Sequence, residues 1–221
     1  MVDVLVLAPT SPDLRGLRAA LGDGLDGHVG ALHVRAKPIG VGLPAAGVGA
    51  ARRIERYQPR AVLLLGTCGI YPGQAGYQPH DVLVAQQVHL LSHDVDAHRA
   101  AFPDPMSVRL AANAAMCAGL TATRGRLVNV ASPLAETRDD TLAGSVPATH
   151  GCQAEHLEAF SLAHACQLLQ VPFGVVLAIT HVVGSYGRDD FRRFHRQSSL
   201  AAAEVVVGWL HAGAPGLPHR A

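Results

Sequence analysis

The chain has 221 residues, of which 49% are hydrophobic and 16% are charged. This length can bury one sizeable core, and a formal net charge of +1 gives no reason to expect nucleic acid or an anionic membrane as a partner. The four cysteines lack metal-ligand spacing and no apolar run has membrane-spanning length, so we expect a cytoplasmic protein with reduced thiols. Any binding site would then have to be a pocket.

Strands and helices alternate along the first part of the chain. In order, the pattern predicts a strand at 2–8, a helix at about 14–21, a glycine-rich turn at 22–30, strand structure at 31–39, a helix to about Tyr57 and a buried strand at 61–65. The helix ending at Tyr57 opens with Gly40-Val41-Gly42, which lacks the spacing of a dinucleotide or P-loop motif. Such a turn can still bring a helix N-terminus close to a ligand.

The second part of the chain continues the alternation. The pattern predicts a strand at 81–88, a polar loop at 89–105, a helix at 107–118, a strand at 121–130, a short helix at about 136–142 and a long helix at 190–210. Strands alternating with helices indicate an α/β fold with a mostly parallel sheet and helices on both faces. We expect a single domain over residues 1–211 and a flexible tail over 212–221, which is rich in Gly and Pro.

The stretch from Gln153 to His181 carries most of the functional argument. Apolar residues recur at three- and four-residue steps as far as Leu168, Pro172 ends that helix, and an apolar strand follows. The helix would carry Glu158 in its first turn, and the strand would deliver His181 at its carboxyl end, where open α/β sheets bind ligands. The sequence therefore predicts a carboxylate and an imidazole facing one crevice.

Several motifs in fixed order resemble one known family. They are Gly40-Val-Gly-x-x-Ala-Ala, Leu65-Gly-Thr-Cys-Gly, Asp81-Val-Leu-Val, Leu157-Glu-Ala, Val171-Pro-Phe, Ala178-Ile-Thr-His and Gln197-Ser-Ser-Leu. Together they cover about residues 2–211 and resemble the nucleoside phosphorylase and nucleosidase family. The resemblance implies a three-layer α/β fold with a central mixed sheet, and cleavage of the N-glycosidic bond of a purine-type nucleoside.

The resemblance also implies roles for individual residues. Glu158 matches the glutamate that holds the ribose hydroxyls, and His181 stands where nucleosidases carry an aspartate that bonds the base. The remaining expected substrate contacts are Thr67, Cys68, Gly69, Leu134, Leu157 and Thr180. Leu134 lies near the position of a base-stacking aromatic residue.

The nucleophile decides between a hydrolase and a phosphorylase. Phosphorolysis needs arginines to hold phosphate, and the strand Val62-Leu63-Leu64-Leu65 carries none where phosphorylases have one. Water is therefore the expected nucleophile, with Asp13 nearest to the position of the water-activating glutamate. Arg15 leaves open the phosphorylase alternative, because it matches a phosphate-binding arginine of other members. His181 in place of aspartate leaves open a nucleoside-binding relative that has lost catalysis.

Other interpretations of the same residues remain open. Glu158 could simply favour a helix dipole, His181 could be an interior histidine, and Asp13 could be a helix N-cap. Tyr71-Pro72-Gly73 resembles futalosine hydrolase, whereas Gln197-Ser198-Ser199-Leu200 resembles methylthioadenosine nucleosidase, so the base and 5′ group stay undecided. The sequence between His93 and His98 fits no ligand pattern, and we expect no metal and no cofactor. By resemblance we expect a homo-oligomer, most simply a dimer.

Overall fold

The computed structural model describes residues 2–219. Within that range the chain forms nine strands, seven α-helices and one 3-10 helix. The strands are β1 (Val4–Ala8), β2 (Asp26–Val29), β3 (Leu32–Pro38), β4 (Ala61–Ile70), β5 (Val82–Leu91), β6 (Arg109–Ala111), β7 (Arg126–Pro133), β8 (Ala154–Glu155) and β9 (Phe173–Val182).

The helices lie between these strands. They are α1 (Arg18–Leu21), α2 (Leu43–Tyr57), α3 (His93–Asp96), α4 (Ala114–Thr121), α5 (Asp140–His150), α6 (Ala159–Leu168) and α7 (Gly187–His211), with the 3-10 helix at Pro12–Leu17. Helix α7 packs along β9 and β4, whereas α2 and α6 pack against each other. The predicted α/β fold with a central mixed sheet flanked by helices is confirmed.

The sheet has parallel and antiparallel pairs in one continuous arrangement. Strand β1 pairs in parallel with β3 and β4, and β4 pairs in parallel with β9. Strand β5 then pairs antiparallel with β9 and parallel with β7, while β8 joins β7 back to β4. These pairings close β4, β9, β5, β7 and β8 into a ring, so the carboxyl ends of β4 and β9 meet at one edge. Fully buried strands such as β1 explain the continuous apolar runs in the sequence.

Two predicted elements are wrong in type. Residues 26–29, expected in a turn, form β2, which pairs antiparallel with β3 and so satisfies its backbone groups at the sheet edge. The helix expected at 107–118 is instead β6 followed by α4, because residues 109–111 pair with β5. The Asn113 side chain caps α4 by accepting a 3.0 Å bond from the Met116 N–H.

Other boundaries shift where tertiary contacts compete with local periodicity. The strand expected at 61–65 continues to Ile70, and the helix expected near 136–142 runs from Asp140 to His150 with Asp139 as its N-cap. The helix of the 153–181 stretch starts only at Ala159, because residues 154–155 form β8 between β4 and β7. Glu158 is therefore the N-cap residue and not part of the first turn.

The described part of the expected tail packs against the domain. Ala214 is buried, and the Pro218 carbonyl accepts two hydrogen bonds from the Arg60 guanidinium, at 2.8 and 3.3 Å. The Trp209 indole N–H also donates to the Pro215 carbonyl. None of the helices within residues 2–219 combines the length and apolarity that crossing a bilayer demands.

Candidate active site

A cavity of about 390 Å³ opens at the carboxyl ends of β4 and β9. Of the residues expected at the site, it is lined by Asp13, Thr67, Cys68, Gly69, Leu157, Glu158 and His181. Two expected contacts lie elsewhere. Leu134 is 74% exposed and outside this lining, and Thr180 is fully buried behind His181.

Glu158 is held at the cavity wall by the backbone of a distant turn. Its Oε1 accepts a 2.7 Å hydrogen bond from the N–H of Gly42, the N-cap residue of α2. Gly42 has φ of 82°, a conformation that a residue with a side chain rarely adopts. The Glu158 side chain makes no capping hydrogen bond to its own helix. Its contacts therefore differ from those of an acidic residue that only stabilises a helix N-terminus.

His156 lies directly beside Glu158 in the interior. Its Nδ1 accepts a 3.3 Å bond from the Glu158 N–H and lies 3.4 Å from Glu158 Oε2. Burial lowers the pKa of His156, against the opposing effect of the Glu158 and Asp13 carboxylates. A neutral His156 therefore supports the backbone of Glu158 and adds no positive charge to the cavity.

Asp13 and His195 form a close pair in the lining of the same cavity. His195 comes from α7, and its Nε2 lies 2.7 Å from Asp13 Oδ1. The other carboxylate oxygen, Asp13 Oδ2, accepts hydrogen bonds from the Thr10 N–H at 3.0 Å and from the Thr10 hydroxyl at 2.6 Å. Burial by itself would raise the pKa of Asp13, but the bonds from His195 and Thr10 outweigh it, so the pKa is lowered. Asp13 is thus a carboxylate near neutrality and not a helix N-cap.

A β-bulge in β9 sets the position of His181. Along the β4–β9 pair, Cys68 is opposite Ile179 and Gly69 is opposite His181, so Thr180 has no partner residue across the ladder. Bulges of this kind re-aim side chains next to functional sites. Here the Thr180 hydroxyl turns inward, 3.1 Å from the Cys68 carbonyl oxygen and 2.7 Å from His181 Nδ1.

The small residues at the end of β4 make room for this imidazole. A Cβ atom on Gly69 would lie 2.7 Å from His181 Nε2 and 2.6 Å from Val183, so only glycine fits. The neighbouring Cys68 thiol is buried, and burial raises its pKa, so Cys68 stays a neutral wall residue near pH 7.

Five further lining residues have no local sequence signal that would have placed them at the site. They are Thr10, Glu136, Glu155, Phe191 and His195. For His156 such a signal did exist, since it stands two residues before Glu158. Glu136, Glu155, His181 and Phe191 also line an adjoining hollow of about 380 Å³, so His181 stands in the wall between two spaces.

Three of the polar residues from His93 to His98 bond to other side chains of the domain. His93 bonds the Thr137 hydroxyl at 2.9 Å, Asp96 bonds His150 at 2.9 Å, and Asp94 pairs with Arg99. Among residues 2–219, no group of three or more His, Cys, Asp or Glu side chains is arranged to hold a metal ion.

Carboxylates and imidazoles that converge at the strand ends of an α/β sheet define an enzyme-like pocket for a small polar ligand. A family model described as the phosphorylase superfamily matches residues 15–211, and the chain belongs to that superfamily.

Similar proteins agree with this assignment. The 5′-methylthioadenosine/S-adenosylhomocysteine nucleosidase of Chromohalobacter salexigens is 27% identical over 199 residues, which is 81% of this chain and 80% of that protein. The crystal structure of the Helicobacter pylori enzyme of the same name has a TM-score of 0.86 at 15% identity, covering 96% of this chain and 99% of that one. The futalosine hydrolase of Helicobacter pylori has a TM-score of 0.85 at 14% identity, covering 96% and 98%. These structural matches establish the fold.

Proposed function

We propose that the chain is a nucleoside N-ribohydrolase that cleaves the bond between C1′ of ribose and a nitrogen of a purine-type base, with water as the nucleophile. The observation that carries this proposal is the presence of Glu158, Asp13 and His181 in the lining of one 390 Å³ cavity. The named relatives that are nucleosidases support the same chemistry.

Glu158 is proposed to hold the ribose. Breaking the C1′–N bond builds positive charge on the sugar ring, and a carboxylate bonded to the ribose hydroxyls stabilises that charge while fixing the ring. The Gly42 N–H occupies one side of Oε1, and the acceptor capacity that remains on the two oxygens can serve substrate hydroxyls.

His181 is proposed to protonate the departing base. As the bond breaks, its electron pair moves to the base nitrogen, and an imidazolium at His181 gives that nitrogen a proton and becomes neutral. Burial lowers the pKa of His181, although the carboxylates of Glu136 and Asp190 oppose this effect. The charged form is therefore available mainly on the acidic side of neutrality, where an imidazolium can also act as a strong donor.

Asp13 is proposed to receive the proton of the attacking water. The water oxygen bonds to C1′ as the base leaves, and its proton passes to the Asp13–His195 pair and then to solvent. The products are free ribose, or a 5′-substituted ribose, and the free base. Thr10 and His195 hold the Asp13 carboxylate in place for this step.

The charge of the cavity supports water over phosphate. None of the described residues that line it is a lysine or an arginine, and a phosphate dianion would meet the carboxylates of Asp13 and Glu158. Arg15, which left phosphorolysis open, is exposed and lines a separate small hollow of about 170 Å³ beyond His195.

A panel of nucleosides, incubated with and without phosphate, tests the proposal. We expect free base to appear at the same rate in both conditions, and formation of ribose 1-phosphate only with phosphate would overturn hydrolysis. Glu158→Gln should reduce kcat/KM by about 10² to 10³, the range for one transition-state contact. The matched control is Glu55→Gln on the exposed face of α2, which should leave the rate unchanged.

We further propose a cytoplasmic homo-oligomer, most simply a dimer, on the basis of the family. Sedimentation or light scattering of the purified chain would measure its mass, and a monomer at micromolar concentration would contradict the proposal.

A further inference from the structure

The hollow of about 380 Å³ beside the 390 Å³ cavity differs from that cavity in charge. Four residues form the wall that the two spaces share, namely Glu136, Glu155, His181 and Phe191. The described lining of the cavity contains no lysine or arginine, whereas three arginines line the hollow, Arg138, Arg188 and Arg192. We call this second space the arginine hollow. Its charge suits an anion, whereas the cavity suits the positive charge that develops on a ribose.

Two of these arginines come from the beginning of α7. Arg188 and Arg192 are four residues apart, so they lie on the same face of the helix. Like charges at this spacing repel each other, and positive charge at a helix N-terminus also opposes the helix dipole. No side chain caps this N-terminus. An anion bound beside the two guanidinium groups would offset both unfavourable effects.

The guanidinium groups of the arginine hollow are available to a ligand. Within residues 2–219, Arg138 and Arg188 make neither a hydrogen bond nor an ion pair with the protein. Arg192 pairs with Asp189 at 3.7 Å, but the two side chains are 67% and 86% exposed, so water weakens this attraction. A bound anion would therefore displace little that the fold depends on.

The two carboxylates that line the arginine hollow leave its arginines unpaired. Glu155 is satisfied by other groups, because its Oε1 accepts a 3.0 Å bond from the Thr137 N–H and its Oε2 accepts bonds from the Thr137 hydroxyl at 2.5 Å and the Tyr71 hydroxyl at 2.8 Å. Glu136 lies in the shared wall with His181. Among the described residues, neither carboxylate forms an ion pair with an arginine.

Glycines shape the passage between His181 and the arginine hollow. A Cβ on Gly187 would lie 2.6 Å from His181 Cδ2, and a Cβ on Gly184 would lie 2.2 Å from Asp140 Oδ1. Asp140 holds the intervening turn in place, since its two oxygens accept bonds from the Ser185 N–H at 2.8 Å and the Ser185 hydroxyl at 3.0 Å. The arginine hollow is therefore bounded by a fixed turn.

Resting on the proposed N-glycosidic hydrolysis, we propose that the arginine hollow binds a carboxylate carried by the base of the substrate. Glu158 and Asp13, proposed to serve the ribose and the water, do not line this hollow, whereas His181, proposed to act on the base, does. A substituent of the base is therefore the part of the nucleoside that can extend past His181. The planar fork of a guanidinium matches the geometry of a carboxylate.

Paired substrates that differ only in one charge test the proposal. Purine ribosides with a carboxymethylamino group at position 2, 6 or 8 are each compared with their own methyl ester. We expect kcat/KM of the acid to exceed that of the ester by about 10-fold for at least one position, the lower end for charge-assisted hydrogen bonds because the arginines are exposed. An ester that is cleaved equally fast or faster at all three positions would overturn the proposal.

Two further measurements separate this subsite from other sources of anion preference. Raising the ionic strength from about 0.01 M to about 1 M shortens the screening length from about 30 Å to about 3 Å and should reduce the acid preference, whereas a preference unaffected by salt would contradict its electrostatic origin. Adenosine 5′-carboxylic acid and its methyl ester should be cleaved at similar rates. An acid preference confined to this 5′ pair would assign the anion to the sugar and overturn the proposal.

A chain that cleaves none of these nucleosides would contradict the proposed function, and calorimetry with the same acid and ester pairs then decides the subsite separately. Tighter binding of an acid modified on the base supports the subsite. Equal binding, tighter binding of every ester or no binding overturns it.

Matched double substitutions on α7 test whether the lining arginines cause the preference. Arg188→Gln with Arg192→Gln should remove the acid preference, because both lining guanidinium groups of the helix are lost. Arg193→Gln with Arg196→Gln removes the same net charge from exposed positions of α7 outside the arginine hollow and should leave the preference unchanged. An equal loss in both double variants would show general attraction of anions and contradict a specific subsite.

Discussion

Two histidines in neighbouring strands, the buried His89 of β5 and the half-buried His181 of β9, differ in how many of their ring nitrogens bond to the protein. In His89, Nδ1 lies 3.3 Å from the Cys152 thiol and Nε2 lies 3.1 Å from the Gln87 side-chain oxygen. Burial raises the pKa of Cys152 to about 12, so the neutral thiol donates to Nδ1 and Nε2–H donates to Gln87. In His181, among residues 2–219, only Nδ1 is bonded to a protein group, the Thr180 hydroxyl at 2.7 Å.

This difference shows why one histidine has only a structural role and the other can bind a ligand or transfer a proton. A histidine with both nitrogens bonded to protein groups is fixed in one tautomer and has nothing left for a ligand. Burial lowers the pKa of His89 to about 4, with the Arg109 and His150 charges acting in the same direction. The pKa of His181 is also lowered, but Glu136 and Asp190 oppose the shift, and its free nitrogen faces a cavity.

The largest expected effect is on activity at His181. His181→Ala should lower kcat by about 10² to 10⁴, the usual contribution of a positioned acid, with little change in the urea midpoint. Initial rates of base release together with a urea titration measure both quantities. A variant that keeps the full rate would show that the open nitrogen plays no part in the reaction.

His89→Ala should have the opposite profile. It removes a fully bonded buried ring, so the free energy of unfolding should fall by about 2 to 4 kcal/mol while kcat of the folded fraction stays the same. His164→Ala, on the exposed face of α6, is the control and should change stability by less than about 0.5 kcal/mol. Loss of activity in His89→Ala without loss of stability would remove the contrast between the two histidines.

The smallest expected effect is the response to pH. As the pH falls, we expect the free energy of unfolding to decrease and the activity to increase. The pKa of His89 is about 4 in the folded chain against about 6.5 unfolded, so its contribution is complete above pH 6.5 and is lost as the pH falls towards 4. We expect a loss of about 2 kcal/mol, or about 4 to 8 °C in Tm, between pH 7 and pH 4. His156 and His181, whose pKa values are also lowered, act in the same direction.

Activity should instead rise as the pH falls from 8 towards 6, because the imidazolium of His181 forms only as the pH approaches its lowered pKa. Rates measured over that range, where the chain is still folded, check this. A rate that falls with decreasing pH there would exclude His181 as the acid.

The sequence was informative where chemistry and local order coincide. The apolar run that ends at His181, the glycine-rich end of β4 and the carboxylate of Glu158 are all recognisable from short stretches, and the structure brings them to one cavity. Glu158 and His181 are only 23 positions apart, at the N-cap of α6 and in β9, the strand that follows it. Short connections of that kind place neighbours in sequence close together in space.

The hydrogen-bond partners of the site carboxylates could not be predicted from short stretches of sequence. Gly42 bonds Glu158 across 116 positions, and His195 bonds Asp13 across 182. Each contact depends on the packing of elements that are distant in sequence, such as α7 against the 3-10 helix. Strand β8 and the hairpin strand β2 were missed because their pairing partners, and not their own residue patterns, make them strands.

By itself the sequence determined most of the alternation of strands and helices, and it placed Glu158 and His181 near the strand ends, because apolar periodicity is a local property of the chain. Tertiary structure alone decided that β9 bulges at Thr180, and with it which nitrogen of His181 is free. The physical reason is that a β-bulge forms only where two paired strands differ in register, which neither strand shows in its own sequence. Here the bulge places the Thr180 hydroxyl beside the Cys68 carbonyl, 112 positions away, and that contact fixes how the hydroxyl bonds to His181.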